Sequence, residues 1–295
     1  MSRSVLTCLV CGLSLFGASG CDEPLALQNA DDAPVTDAEV GCDFEAASAG
    51  TIRGQVRWRG SIPNVPPYRS PRSPGNEHRG EPQHEWPNPH RPAIDPVTKG
   101  VAGAVIYLKG IDPRRARAWD HPPARVEFRD DHIHVCQGEF DGQSGFVRRG
   151  DAIEMVSRQA LFQSLRVRGA AFFARAFPDA DCSSTHRLDR EGFVEMSSGC
   201  GYFWMRGYLF VADHPYYTRS DAKGRFVLPQ VPPGRYELVC WLPDWHEASR
   251  ELDAETAFIC RLTFRPPVET TQNIRVDPAR TQTVAIEVDA RRFDP

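Results

Sequence analysis

The chain lacks a basic face, a helical repeat and the familiar catalytic loops. Its 295 residues carry 35 Lys and Arg against 39 Asp and Glu, a formal net charge of −4. No electrostatic footprint for nucleic acid follows from that balance. No Gly-x-Ser-x-Gly elbow, P-loop, dinucleotide fingerprint or His-Glu-x-x-His helix occurs. Ser164, Ser197 and Ser198 have no triad setting, so catalysis is not expected. Apolar runs long enough to cross a bilayer are missing as well.

What is present begins with Arg3 and the short apolar run Val5 to Phe16, the pattern of an export signal over residues 1–21. Ala18-Ser19-Gly20-Cys21 resembles a bacterial lipobox, with Ala18 where Leu is usual. The resemblance implies lipidation of Cys21 and a periplasmic or outer-membrane-anchored lipoprotein that meets the membrane only through its anchor. An ordinary secretory signal ending beside a Cys is the alternative. Residues 22–49 are acidic and poor in large apolar side chains, as in a flexible tether. Residues 61–100 hold ten of the 25 prolines, with His78, His84 and His90. Proline cannot donate to a ladder, so a long irregular loop with solvated histidines is expected there.

The segments around it read as short strands. Ile52 to Trp58 and Val101 to Leu108 are rich in β-branched and aromatic residues. Further on, Phe226 and Leu228 share one face, as do Tyr236, Leu238 and Cys240. Asp221-Ala222-Lys223-Gly224 turns the chain before the first of these strands, and Pro232-Pro233-Gly234 turns it between them. A β-hairpin is the expectation. Ser220-Asp221-x-x-Gly224-x-Phe226-x-Leu228 followed by Val231-Pro232-Pro233-Gly234-x-Tyr236-x-Leu238 resembles the carboxypeptidase regulatory-like family, a transthyretin-like β-sandwich grouped with carbohydrate-binding-like folds. That resemblance implies one domain in two halves, residues 50–118 and 213–291, separated by an insert.

The insert, residues 119–212, carries short strands at close intervals. Gly150-Asp151, Phe162-Gln163-Ser164-Leu165 and Cys200-Gly201-Tyr202-Phe203-Trp204-Met205 resemble, in order, the segments of a cupredoxin. Together with Trp204-Met205 and the later His214-Pro215-Tyr216, this order resembles planctomycete-type envelope proteins that join a cupredoxin-like unit to a regulatory-like sandwich. A blue copper site needs two imidazoles, a thiolate and a weak Met. Gln163 and Phe203 stand where the imidazoles belong, so the resemblance implies a scaffold without its type 1 site. The fold class expected is therefore all-β, two β-sandwiches, a transthyretin-like one interrupted by a cupredoxin-like one.

Several side chains invite a functional reading. His132, His134 and Cys136 alternate on one strand and share a face. With Cys200, Met205 and His214 they are the candidates for metal. A half-exposed strand with Cys136 packed or bridged is the plainer reading. His214, beside Asp213, Tyr216 and Tyr217, is a candidate ligand group, or a residue that fixes the junction. Trp241 and Trp245 could stack on sugar rings, with Asp244 and Glu247 bonding hydroxyls; Trp245 is expected to be the more exposed. Six cysteines remain outside the signal and Cys21, namely Cys42, Cys136, Cys182, Cys200, Cys240 and Cys260. Cys240 and Cys260, on successive expected strands, are the first choice for a bridge, and buried free thiols are the alternative. These readings lead to a non-catalytic binding or scaffolding protein of the cell envelope that needs no cofactor. Its partner would be a glycan or an envelope protein. The competing expectation is a copper-binding or electron-transfer protein.

Overall fold

The computed structural model describes residues 43–70, 84–252, 254 and 259–294, with Cys260 described by its backbone alone. The expected signal, the lipobox with Cys21, Cys42 and His78 lie outside these residues. Among the described residues the chain is all-β, with short 3-10 turns at Pro113–Arg115 and Ala290–Phe293 and no α-helix.

Four larger sheets stack in layers. In the first, Gly50–Arg59 is central, antiparallel to Arg225–Val231 and parallel to Thr281–Asp289. The second runs Tyr217–Arg219, Val105–Lys109, Gly234–Leu242 and Val268–Val276, all antiparallel. Ile52, Val56, Phe226, Leu228 and Ile286 of the first sheet meet Ile106, Leu108, Leu238, Cys240 and Ile274 of the second in one buried cluster. The third sheet runs Ser144–Arg148, Arg206–Ala212, Gly192–Ser198, Gln163–Gly169 and Phe173–Phe177. The fourth runs Ser183–Arg187, Ala152–Ser157, Ala124–Arg129, His132–Gln137 and Phe140–Gly142. Val126, Phe128, Ile133, Val135 and Met155 from the fourth pack against Leu165, Val167, Val194, Met196 and Leu209 from the third. The chain is therefore two β-sandwiches, as its alternating strands imply.

A third apolar cluster joins the sandwiches. Val105, Tyr107, Tyr217, Val239 and Trp241 on the back of the second sheet meet Phe146, Tyr208 and Phe210 on the back of the third. Both middle sheets are thus covered on two faces. This explains why all seven residues of Arg206–Ala212 are buried. It also explains why Val105-Ile106-Tyr107-Leu108 is a continuous apolar run and not an alternating one.

The expected hairpin is corrected. Phe226, Leu228, Tyr236, Leu238 and Cys240 are buried as their alternation requires. Yet Arg225–Val231 pairs with Gly50–Arg59 in the first sheet, whereas Gly234–Leu242 pairs in the second. Pro232 and Pro233 offer no N–H to a ladder, so the chain leaves one sheet and enters the other, and the two strands face each other across the core. The turn before them needs its glycine for two reasons. Gly224 has φ +76°, and a Cβ there would lie 2.3 Å from the Val56 carbonyl oxygen.

The proline-rich segment is less irregular than expected. Tyr68–Ser70 pairs with His84–Trp86, and Ala93–Ile94 pairs with Val101–Ala102. Trp86 lies flat on Trp204, ring centroids 4.2 Å apart and planes at 7°. His84 is exposed, but His90 is buried, which corrects the expectation of a solvated loop residue. The Cys240–Cys260 bridge is also corrected at its Cys240 end. Cys240 is a free thiol, 1% exposed and enclosed by apolar neighbours. The strand bearing Cys260, Ile259–Phe264, pairs with Glu247–Leu252 and not with the Cys240 strand; the Cys260 side chain lies outside the described residues. Cys136, Cys182 and Cys200 are free as well.

Candidate functional site

The seam between the sandwiches opens into two clefts, both walled by Trp241. The larger, about 710 Å³, is lined by Tyr107, Phe193, Phe210, Tyr217, His214 and Trp241, among others. Tyr107 and Tyr217 sit on neighbouring strands and stack, ring centroids 5.0 Å apart and planes at 4°. Glu191, Asp213 and Glu269 place carboxylates at the rim. Two of these are engaged: Glu269 accepts from the Tyr107 hydroxyl at 2.9 Å and from Lys109 at 3.2 Å, and Asp213 accepts from Arg149 at 2.7 Å. Tyr217 and Trp241 are buried residues, yet the Tyr217 hydroxyl and the Trp241 indole N–H have no hydrogen-bond partner among the described residues and are not sealed from solvent. These two solvent-facing groups against an aromatic wall can bond a ligand's hydroxyls in place of water.

His214 forms part of the same wall. It accepts the Tyr216 backbone N–H at Nδ1 over 3.4 Å and stacks on Tyr217 at 5.5 Å. Burial lowers its pKa to about 4, so the ring is neutral at neutral pH. Tyr216, two residues on, turns away into the core of the first sandwich. Its hydroxyl donates to the Gln230 carbonyl at 2.8 Å and accepts the Arg117 N–H at 3.1 Å. It contributes nothing to the cleft because both of those bonds point inward.

The second cleft, about 290 Å³, is lined by His90, Phe140, Tyr208, Trp241, Trp245 and Phe293, among others. His90 Nδ1 lies 2.6 Å from the Asp244 carbonyl oxygen. A carbonyl only accepts, so Nδ1 carries the proton and Nε2 accepts from the Tyr208 hydroxyl. Burial lowers the His90 pKa to about 3 and raises that of Tyr208. Trp245 is partly exposed and stacks on Phe293 at 4.5 Å, whereas Trp241 is buried. The Asp244 carboxylate is buried and occupied by its own loop, accepting from the His246 N–H at 2.8 Å and lying 2.7 Å from His246 Nδ1. Glu247 is paired with Arg250. Neither acid is free for a sugar hydroxyl.

The residues with metal-ligand chemistry lie apart. His132, His134 and Cys136 share the outward face of the fourth sheet, opposite Ile133 and Val135. His134 Nδ1 is 2.8 Å from Asp141 Oδ1 and also meets Arg129, His132 bonds the Asp130 carbonyl, and burial raises the Cys136 pKa. Cys200 lies beside the start of the Gln163–Gly169 strand, its Sγ 3.9 Å from the Phe162 carbonyl, and burial raises its pKa. Met205 is wholly buried in the core with Trp204. Gln163 is buried, donates to Gln159 at 3.1 Å and leaves Oε1 unpaired. No group of three or more His, Cys, Asp or Glu close enough to hold a metal ion occurs among the described residues.

Sequence reasoning missed Phe193, Tyr107 and His90. Tyr107 sits in a run whose unbroken apolarity marks burial on both faces, a signal that a second wall covers the strand. Phe193 shares its face with Glu195 and Ser197, a polar pattern that reads as exposed. His90 carries no such signal, because a proline-rich segment has no period against which to judge burial.

No protein-family model matches the chain. No curated protein matches it. Among solved structures it is similar to amicyanin from Paracoccus versutus, at 14% identity over 30% of this chain and 80% of that one, TM-score 0.25. It is also similar to a purple cupredoxin from Nitrosopumilus maritimus, at 10% identity over 30% of this chain and 98% of that one, TM-score 0.24.

Proposed function

We propose that the chain is a non-catalytic, extracytoplasmic binding protein whose ligand, a glycan, occupies the larger cleft between the sandwiches. The observation that carries this reading is the aromatic wall with two unpaired polar groups, the Tyr217 hydroxyl and the Trp241 indole N–H. Aromatic faces cover the C–H faces of sugar rings, and a few placed donors fix orientation. Glu191, at the rim, has no hydrogen-bond or ion-pair partner among the described residues and adds an acceptor. In this reading the outer sandwich is regulatory-like, the inserted one is a cupredoxin-like scaffold without a metal, and the lipobox Cys21 holds both at the envelope.

A glycan array run on the full chain and on its Tyr217→Phe and Phe193→Ala variants tests the site. Hits that weaken in both variants support it; an array with no hits, or with hits that neither variant changes, rejects it. Incorporation of labelled palmitate at Cys21 tests the anchor separately.

A further inference from the structure

A second groove, about 780 Å³, opens over the third sheet where the second sheet no longer covers it. Its floor follows from register. Arg166 lies beside Ser197 and Ser197 beside Arg206, while Arg168 lies beside Glu195. Paired residues on neighbouring strands project to the same side, so these five side chains share one face. On the edge strand Arg166 is opposite Ala174, which is too small to cover it. The opposite wall is the Ile259–Phe264 strand, which presents Arg261, Thr263 and Phe264.

The charges in the groove do not cancel. Arg206 is committed to the fold: it donates to Glu195 at 2.8 Å, to the Phe203 carbonyl at 3.2 Å and to the Leu262 carbonyl at 2.7 Å. Arg261 pairs with Glu251 at 3.4 Å. Each acid in the groove thus has an arginine. Arg166 and Arg168 are exposed and have no hydrogen-bond or ion-pair partner among the described residues. Among the described residues the groove therefore has a local surplus of positive charge, on a chain whose net charge is −4. Being two residues apart on one strand, the two guanidinium stems start roughly 7 Å from each other.

We propose that this groove binds an acidic glycan, a uronate-bearing oligosaccharide, with Arg166 and Arg168 on successive carboxylates. Guanidinium forks match carboxylates in two-bond geometry. Phe172, 84% exposed, supplies an apolar face for a ring, and Ser197 supplies a hydroxyl. The groove is far larger than a single inorganic anion, and its unpaired charge does not suit a neutral sugar. This site is separate from the cleft at the seam and does not depend on it.

Titration of the full chain with oligogalacturonate tests the site. A neutral galactan oligomer, polyglutamate and phosphatidylglycerol vesicles serve as comparison probes. Oligogalacturonate is expected to bind best, with affinity falling as salt rises. Arg166→Gln/Arg168→Gln is expected to weaken it by about tenfold or more, with an unchanged circular dichroism spectrum and melting profile. Tyr217→Phe is expected to leave it unchanged, which separates this groove from the cleft. The proposal is overturned by any of these results: no uronate binding, equal binding by the double variant, polyglutamate or vesicles binding as well as the glycan, or loss through Tyr217→Phe alone.

Discussion

The guanidinium of Arg219 lies 3.7 Å from the centroid of the Phe140 ring, with Phe146 only 4.1 Å away on another side. Its nitrogens donate to Gln137 Oε1 at 2.8 Å, to the Ser144 carbonyl at 2.6 Å and to Ser144 Oγ at 3.1 Å. Arg219 belongs to an edge strand of the second sheet, and all of its partners belong to the inserted sandwich. Among the described residues no carboxylate faces it, and burial lowers its pKa to about 9. The rings take the place of a counter-ion. Arg219→Ala should therefore destabilise the chain by about 2–4 kcal/mol, because it strands Gln137 and Ser144 as well as removing the ring contacts. Arg219→Lys should recover only part of this, since an ammonium cannot stack as a plane. Urea denaturation measures both, and an Ala variant within about 0.5 kcal/mol of the parent would show that the clamp is idle.

Two buried histidines give the fold a pH limit. The pKa of His90 falls to about 3 and that of His214 to about 4, in both cases chiefly through burial. Between those values and the ordinary value near 6.5 the unfolded chain binds more protons than the folded one. Their contribution is fully present above that ordinary value and is lost as pH falls below it. The urea midpoint should drop between about pH 7 and pH 5, and His90→Gln should flatten the drop. Parallel slopes for parent and variant would remove His90 from the account.

Cys240 should behave as a silent thiol. Burial raises its pKa to about 12, and the side chain is 1% exposed within the core. Only a thiolate reacts readily. Alkylation with iodoacetamide should leave Cys240 unmodified in the folded chain and modify it after denaturation, as read by peptide mass. Labelling under native conditions would mean that the strand opens.

Gly224→Ala should be among the costliest single-methyl changes in the molecule. The new Cβ would stand 2.3 Å from the Val56 carbonyl oxygen at a position with φ +76°. The Gly224 carbonyl also accepts the Val56 N–H at 2.7 Å, so the clash cannot relax without breaking that bond. A loss of about 2 kcal/mol or more is expected. Thermal unfolding measures it; a midpoint within a degree or so of the parent would contradict the geometry.

What the sequence made legible was local. Phe226, Leu228, Tyr236, Leu238 and Cys240 show their buried face through alternation, because side-chain direction depends only on position along a strand. Which strand pairs with which is not local, and Arg225–Val231 found its partner at Gly50–Arg59 and not across the nearest turn. His90 and Trp86 were illegible for another reason. Their burial comes from Tyr208 and Trp204, more than a hundred residues away, and nothing near them in the chain marks the contact. In the clefts, Trp241, Trp245 and His214 could be singled out by chemistry, but the occupation of Asp244 and Tyr216 by internal bonds depends on folded neighbours. Arg166 and Arg168 carry no motif at all, and only the register beside Ser197 and Glu195 makes them a pair.

The aromatic layer between the second and third sheets restricts what descent can do with this chain. Excising the inserted sandwich would bare Tyr107, Tyr217, Val239 and Trp241 to water, and the excised piece would bare Phe146, Tyr208 and Phe210. Each half would then carry a greasy patch of the kind that drives aggregation. Neither unit could stand alone in another protein without first repainting its exposed face.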